Sequence, residues 1–347
     1  MNIFSLFIFG IVLLMYLHIF YQLKTGNDKE IYDVQDITKE KLEEICDLRQ
    51  PALFNYMNQS IVEKSKEVFM DTEKKYKDMH LNICKSEFDS NENPVILTFE
   101  NSKKLFNDDM NSNFTTSNNE DFLQKTKMRD ILVETDSYLR PPLTSSVNYD
   151  ICLGSDDSST PLRYELNYRN FISVITGSVK IKLISPNKSM DLYEHKDYHK
   201  FKFSSPINVW NVQSKYKREF DMIEQMEVSV VAGRTLFIPA YWWYSIQYKK
   251  NSIVSLSKYR TYMNDLAIAP RLIKRFLQSQ NVKHKTVPTI NQNEKKKITK
   301  TQGINNNHNC NENVNKTPIS DSEKTENPEK PKKAEKPKRA EIKDKIK

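Results

Sequence analysis

Glycine is scarce, with six in 347 residues. That excludes a collagen and a Gly-rich linker protein. Neither GxGxxG nor GxxxxGK[ST] occurs, so the chain has no nucleotide-phosphate loop of those kinds. Cysteine is scarce too. Cys46, Cys84, Cys152 and Cys310 lie far apart without a CxxC pair, which argues against a disulfide scaffold. Histidine is limited to six residues, and no Ser-His-Asp or Cys-His arrangement stands out among them. A dominant charge is also missing from most of the chain. Residues 281–347 carry 17 basic and 9 acidic side chains, an excess equal to the formal +8 of the whole. The remainder is neutral, so the basic pI is no argument for a nucleic-acid-binding fold.

What is present divides into three parts. Residues 3–22 hold no formally charged residue and no basic stretch precedes them, unlike a signal peptide. At 1.5 Å per helical residue they match the ~30 Å hydrocarbon core of a bilayer. They read as an uncleaved single-pass anchor, residues 1–27, whose partner is the lipid bilayer. His18 is a tolerated polar residue near the end of the span. Lys24 and Lys29 follow it, which leans weakly toward a cytosolic body. Residues 28–280 read as one folded domain. Helices are predicted over 36–49, 61–77 and 120–133, and a polar loop over 107–120. From residue 150 the runs FISVITG, VKIKLIS, EVSVVAG, TLFIPA and NSIVSLS are rich in β-branched and aromatic residues and predict strands. Long helical patterns are few between them, which points to an antiparallel sandwich or barrel. Residues 281–347, rich in Lys, Asn, Glu and Pro, bury too little to offset chain entropy and are expected to be a disordered basic tail. Such a tail can contact anionic lipid or nucleic acid. The Asn-, Lys- and Ile-heavy usage suggests an AT-rich genome, such as that of a large DNA virus.

The informative stretch is 141–257. It contains TPLRYE (Thr160 to Glu165), Asn170-Phe171, a strand pair turning at Gly177, Leu192-Tyr193, and AGRTLFIPAYWWY (Ala232 to Tyr244). CDLRQPALF (Cys46 to Phe54) adds a weaker upstream echo. This combination resembles the JmjC and cupin-8 family of iron(II)- and 2-oxoglutarate-dependent dioxygenases, nearest to the asparaginyl-hydroxylase branch. The resemblance implies a mainly β fold with added helices: a double-stranded β-helix, or jelly-roll cupin barrel, with its core at about 141–257. Trp242 and Trp243 alternate in direction, so one should fill the barrel and the other an outer layer.

The resemblance also implies a site, and there the sequence departs from the family. Iron(II) needs two imidazoles and a carboxylate on one face. Aligned on TPL, Arg163 stands at the first His and Glu165 at the carboxylate; aligned on Asn170-Phe171, Tyr164 and Leu166 stand there instead. Tyr244 replaces the distal His, Arg234 follows Gly233 where the family has Asp, and the 2-oxoglutarate lysine falls at Val179, beside Lys180 and Lys182. A guanidinium has no lone pair to offer a cation. Arg163 and Glu165 share one face of a strand; where that face is the barrel mouth, Arg163 occupies the metal's place and pairs with Glu165 beneath Tyr244 or binds an anion, and the alternative is an Arg163 turned to solvent over an apolar barrel. The expectation is a non-catalytic binding or scaffold module with no cofactor. Its pocket candidates are Tyr164, Asn170, Lys180, Lys182, Tyr241, Trp242 and Trp243, and its ligand is a peptide or small anion. The alternatives are a hydroxylase using Fe(II) and 2-oxoglutarate with ligands such as Glu165, His195 or His199, and a structural membrane component. His195-x-Asp197 lies well downstream of the ligand strand and reads as a solvated loop.

Overall fold

The computed structural model describes residues 3–26, 28–71, 74–86 and 93–280. The expected tail, 281–347, lies outside the described residues. Helix α1 (Ile3–Leu23) is apolar on every side and exposed along most of its length, with Gln22 buried near its end. Helix α2 (Lys39–Leu48) starts where Thr38 caps the Lys41 amide and stops where Arg49 turns left-handed at φ 57°. Its Leu42, Ile45 and Cys46 face inward, as their spacing requires.

Two expectations change at helix ends. Helix α3 (Gln59–Phe69) stops well short of residue 77, because the Asp71 carboxylate accepts the Tyr76 amide and closes a turn instead. The stretch 120–133 forms two helices, α4 (Phe99–Asp108) preceding them in the chain: α5 (Glu120–Lys125) and α6 (Met128–Thr135), parted by Lys127 at φ 59°. The polar segment 107–120 also holds a short strand, since Phe114–Thr116 pairs with Ile83–Lys85.

Among the described residues there are fifteen strands, numbered in chain order. They are β1 (Tyr32–Val34), β2 (Ala52–Asn55), β3 (His80–Lys85), β4 (Val95–Thr98), β5 (Phe114–Thr116), β6 (Thr144–Leu153), β7 (Arg163–Tyr164) and β8 (Arg169–Thr176). After these come β9 (Ser178–Ile184), β10 (His195–Asp197), β11 (Lys202–Ser204), β12 (Met226–Val231), β13 (Arg234–Pro239), β14 (Trp243–Tyr248) and β15 (Ile253–Thr261). One six-stranded sheet runs β1-β2-β13-β8-β15-β6 and the other β10-β11-β7-β14-β9-β12. A small sheet, β4-β3-β5, is tied to the end of β6 by a bridge between Thr115 and Gly154, and His80 opens its central strand. Three further helices are α7 (Ser214–Phe220), α8 (Tyr262–Ala267) and α9 (Ala269–Gln280).

The two large sheets share a core. Ile172, Val174, Leu236, Ile238, Val254 and Leu256 from the first sheet pack with Val179, Ile181, Leu183, Tyr244, Ile246 and Tyr248 from the second. Alternation along each strand sends the intervening residues outward. Phe171, Phe237 and Tyr259 therefore meet the helices α2, α3, α5 and α6 in a second cluster. Trp242 and Trp243 divide in the same way: Trp242 lies between the sheets and Trp243 in a third cluster with Phe220, Ile223 and Ile268.

Close packing leaves little room at Gly154. A Cβ there would sit 2.6 Å from the ring of Tyr248 and 2.5 Å from the Ser158 hydroxyl. Tyr248 is fully buried and cannot retreat. Gly154→Ala is expected to cost about 1–3 kcal/mol, as overpacking does. An unchanged denaturation midpoint in urea would contradict this.

Candidate functional site

The site begins at β7, two residues long between β11 and β14. Arg163 is the cross-strand partner of Tyr244. Tyr244 points into the core between the sheets, so Arg163 points there too, and its guanidinium carbon lies 5.4 Å from the Tyr244 ring centre. Glu165 follows two residues later. Its Oε1 accepts the Tyr244 hydroxyl at 3.3 Å and the Lys258 ammonium at 2.6 Å. Lys258 belongs to β15, in the other sheet, beside Asn170 of β8. Val254, Leu256 and Lys258 share one phase of β15, so the lysine enters the inter-sheet space where an apolar residue would continue the core. The Glu165–Lys258 pair thus bridges the two sheets, with side chains 19% and 17% exposed.

Electrostatics in this space are set by burial and by these charges. Burial works against the Glu165 carboxylate, but Lys258 and Arg163 outweigh it and hold its pKa below the usual range. Burial likewise works against Lys258, and Glu165 with Tyr244 reverses it, leaving its pKa raised. Burial pushes the Tyr244 phenol up, against the pull of Arg163. Lys202 is lowered, by burial first and by Arg163 second. Arg163 Nε is buried without a hydrogen-bond partner.

A cavity of about 230 Å³ opens onto this group. Among the described residues, Lys85, Arg163, Lys200, Lys202 and Lys258 line it together with one carboxylate, Glu165. Thr116, Ser117 and Ser204 add hydroxyls to its wall.

Of the residues that the sequence nominated, Arg163, Tyr164 and Glu165 line this cavity, and Tyr244 touches it through its contacts with two of them. Asn170 is buried beside Lys258 and spends its amide on the Ile238 carbonyl at 3.1 Å. The remaining nominations are corrected by strand alternation. Lys180 and Lys182 fall on the outer face of β9, where Lys180 pairs with Glu227 and Lys182 donates to the Val209 carbonyl over the Trp210 ring. The run Tyr241–Tyr244 is not one aromatic mouth. Tyr241 accepts from Arg271, Trp242 donates to the Arg49 carbonyl, and Trp243 donates to the Ser189 hydroxyl. The expected direct pair of Arg163 with Glu165 is replaced: the carboxylate bonds Lys258, and Arg163 stacks on Tyr244. Lys258 and Lys202 escaped the sequence reading. For Lys258 a signal exists, a lysine in the inward phase of IVSLSKYR.

The donor set does not fit a ferrous ion. Arg163 has no lone pair, Lys258 sits as a cation 2.6 Å from the one carboxylate, and Tyr244 is a phenol with a raised pKa. His195 and His199 are exposed and do not line the cavity. Among the described residues no group of three or more His, Cys, Asp or Glu could hold a metal ion.

Comparison with known proteins agrees with the resemblance. The cupin-like domain family matches residues 38–264. JmjC domain-containing protein D of Dictyostelium discoideum is 31% identical over 102 residues, which cover 29% of this chain and 22% of that protein. The chain thus spans about a fifth of that relative's length.

Proposed function

The chain belongs to the cupin-like domain family, and from that premise we propose that it is a metal-free, non-catalytic member that binds a small anion. The two facing sheets are read as the family's double-stranded β-helix, and α1 as a single-pass anchor that holds it at a membrane. The observation that carries the reading is Arg163, whose guanidinium lines the cavity with Nε buried and without a hydrogen-bond partner, beside Lys202 and beside Lys258, which engages the one carboxylate among the described lining residues. A carboxylate or phosphate placed there would meet Arg163, whose Nε has no hydrogen-bond partner, and Lys202, whose ammonium is disfavoured by burial and by Arg163. Its binding would restore to the protein a charge balance that water alone supplies poorly in a partly enclosed space. The donors among the described lining residues do not suit the family's iron-dependent chemistry, and this reading assigns the site no oxidation.

Titration calorimetry on the full chain in nanodiscs tests this, with succinate and inorganic phosphate as probes. One anion is expected to bind per chain, unaffected by iron(II) or by a chelator. Arg163→Met keeps an apolar stem on Tyr244 and removes the charge. It is expected to weaken binding by about 1.5–3 kcal/mol, tenfold or more, the worth of a hydrogen bond to a charged group. Stoichiometric iron with turnover of 2-oxoglutarate would overturn the proposal.

A further inference from the structure

Helix α9 is turned the wrong way round for a helix on the surface of a water-soluble domain. Its residues Arg271, Lys274 and Arg275 face the protein: Arg271 bonds the Tyr241 hydroxyl, Lys274 lies over Tyr198 and Arg275 over Phe201. Ile273, Phe276 and Leu277 lie on the opposite arc at helical spacing and are 58%, 62% and 57% exposed. The preceding helix α8 adds exposed Tyr262, Met263 and Leu266.

The placement of α1 says what covers this face. The end of α1 is held to the domain by Arg49, whose Nη1 donates to the Gln22 and Lys24 carbonyls at 2.7 and 2.8 Å while its guanidinium lies over the Tyr21 ring. Closer to the middle of α1, His18 reaches the Met263 carbonyl of α8 at 3.4 Å. His18 is five residues short of the helix end at Leu23, or about 7 Å along the axis. Helices that lie in a membrane interface bury their apolar faces about 5–10 Å deep. A bilayer whose surface meets the end of α1 therefore places α8 at the depth of an interfacial helix.

We propose that α8 and α9 form a second membrane contact, with Phe276, Ile273 and Leu277 inserted at the headgroup boundary beside the anchor. The proposal rests on the reading of α1 as a span. It makes the domain a body laid against the lipid surface by a fixed face, not one swinging on a tether.

Photo-crosslinking of the full chain tests it, in vesicles of phosphatidylcholine and phosphatidylglycerol. Benzoylphenylalanine is placed singly at Phe276, at Leu277, at Leu13 in the middle of α1, and at Met190, an exposed reference. Phospholipid adducts at positions 276 and 277 are expected several-fold above those at 190, with strong adducts at 13. Lipid adducts at 13 alone, or adducts from 276 to residues 281–347 or to a second copy, would overturn the contact and leave the span standing. Absence of lipid adducts at 13 would remove the span and the contact with it.

Discussion

Glu165→Leu is expected to lower the thermal midpoint of the protein by roughly 10 °C. Removing one partner of a buried ion pair costs about 3–5 kcal/mol, and each kcal/mol shifts a domain of this size by about 2–4 °C. The leucine leaves two cations, Lys258 and Arg163, without the carboxylate that both now face. Lys258→Met is expected to cost less, because Arg163 still stands beside Glu165. The double variant Glu165→Leu/Lys258→Met is expected to recover most of the loss, since an apolar pair of similar volume commonly matches a buried salt bridge. A loss in the double variant equal to the sum of the two single losses would show that the pair does not couple the sheets.

The same pair sets a dependence on pH. The folded pKa of Glu165 is depressed, so its contribution is complete above the unfolded value of about 4.3 and is lost as pH falls through the folded one. Lys258 is raised, so its contribution is complete below about 10.4 and is lost as pH rises through the folded value. The wild-type protein should lose stability on the acid side more steeply than the double variant, and chemical denaturation at a series of pH values measures the difference.

How much of this was readable beforehand depended on the kind of regularity involved. The strands from residue 150 announced themselves by β-branched and aromatic alternation, and the same alternation foretold that Trp242 and Trp243 would part. Arg163, Glu165 and Tyr244 could be brought together from a motif because β7 and β14 pair directly. Lys258 could not. It comes from the opposite sheet, some 90 residues away in the chain, and only tertiary packing brings it to Glu165. Lys180 and Lys182 illustrate the converse. Proximity to a family position nominated them, but a shift of one residue along a strand reverses the face. The ends of α3 and the break between α5 and α6 were hidden for a third reason: both are made by local backbone choices, an Asp71 turn and a left-handed Lys127, that hydrophobic spacing does not record.

Arg163→His, Tyr244→His and Lys258→Met, combined, are expected to give the cavity a ferrous site. Directly opposed residues on paired strands have Cβ atoms about 4.5–5.5 Å apart, so positions 163 and 244 can offer two imidazoles to one centre. Glu165 shares the face of position 163, and the Tyr244 hydroxyl already lies 3.3 Å from its Oε1. Two His and one carboxylate on a common face suit iron(II). Lys258 must be replaced as well, because its ammonium holds the oxygen that would ligate. Cobalt(II), followed by its visible spectrum, is a convenient reporter. The triple variant should bind at least about 100-fold more tightly than the wild type, a change of about 2.7 kcal/mol. The double variant that retains Lys258 should fall between them, since a fixed positive charge opposes a divalent ion at short range. Tight cobalt binding by the wild-type protein would defeat the claim that charge replacement abolished the site. A folded triple variant with no gain would show that Arg163, Glu165 and Tyr244 converge on a pocket whose shape, not its donors, excludes the metal.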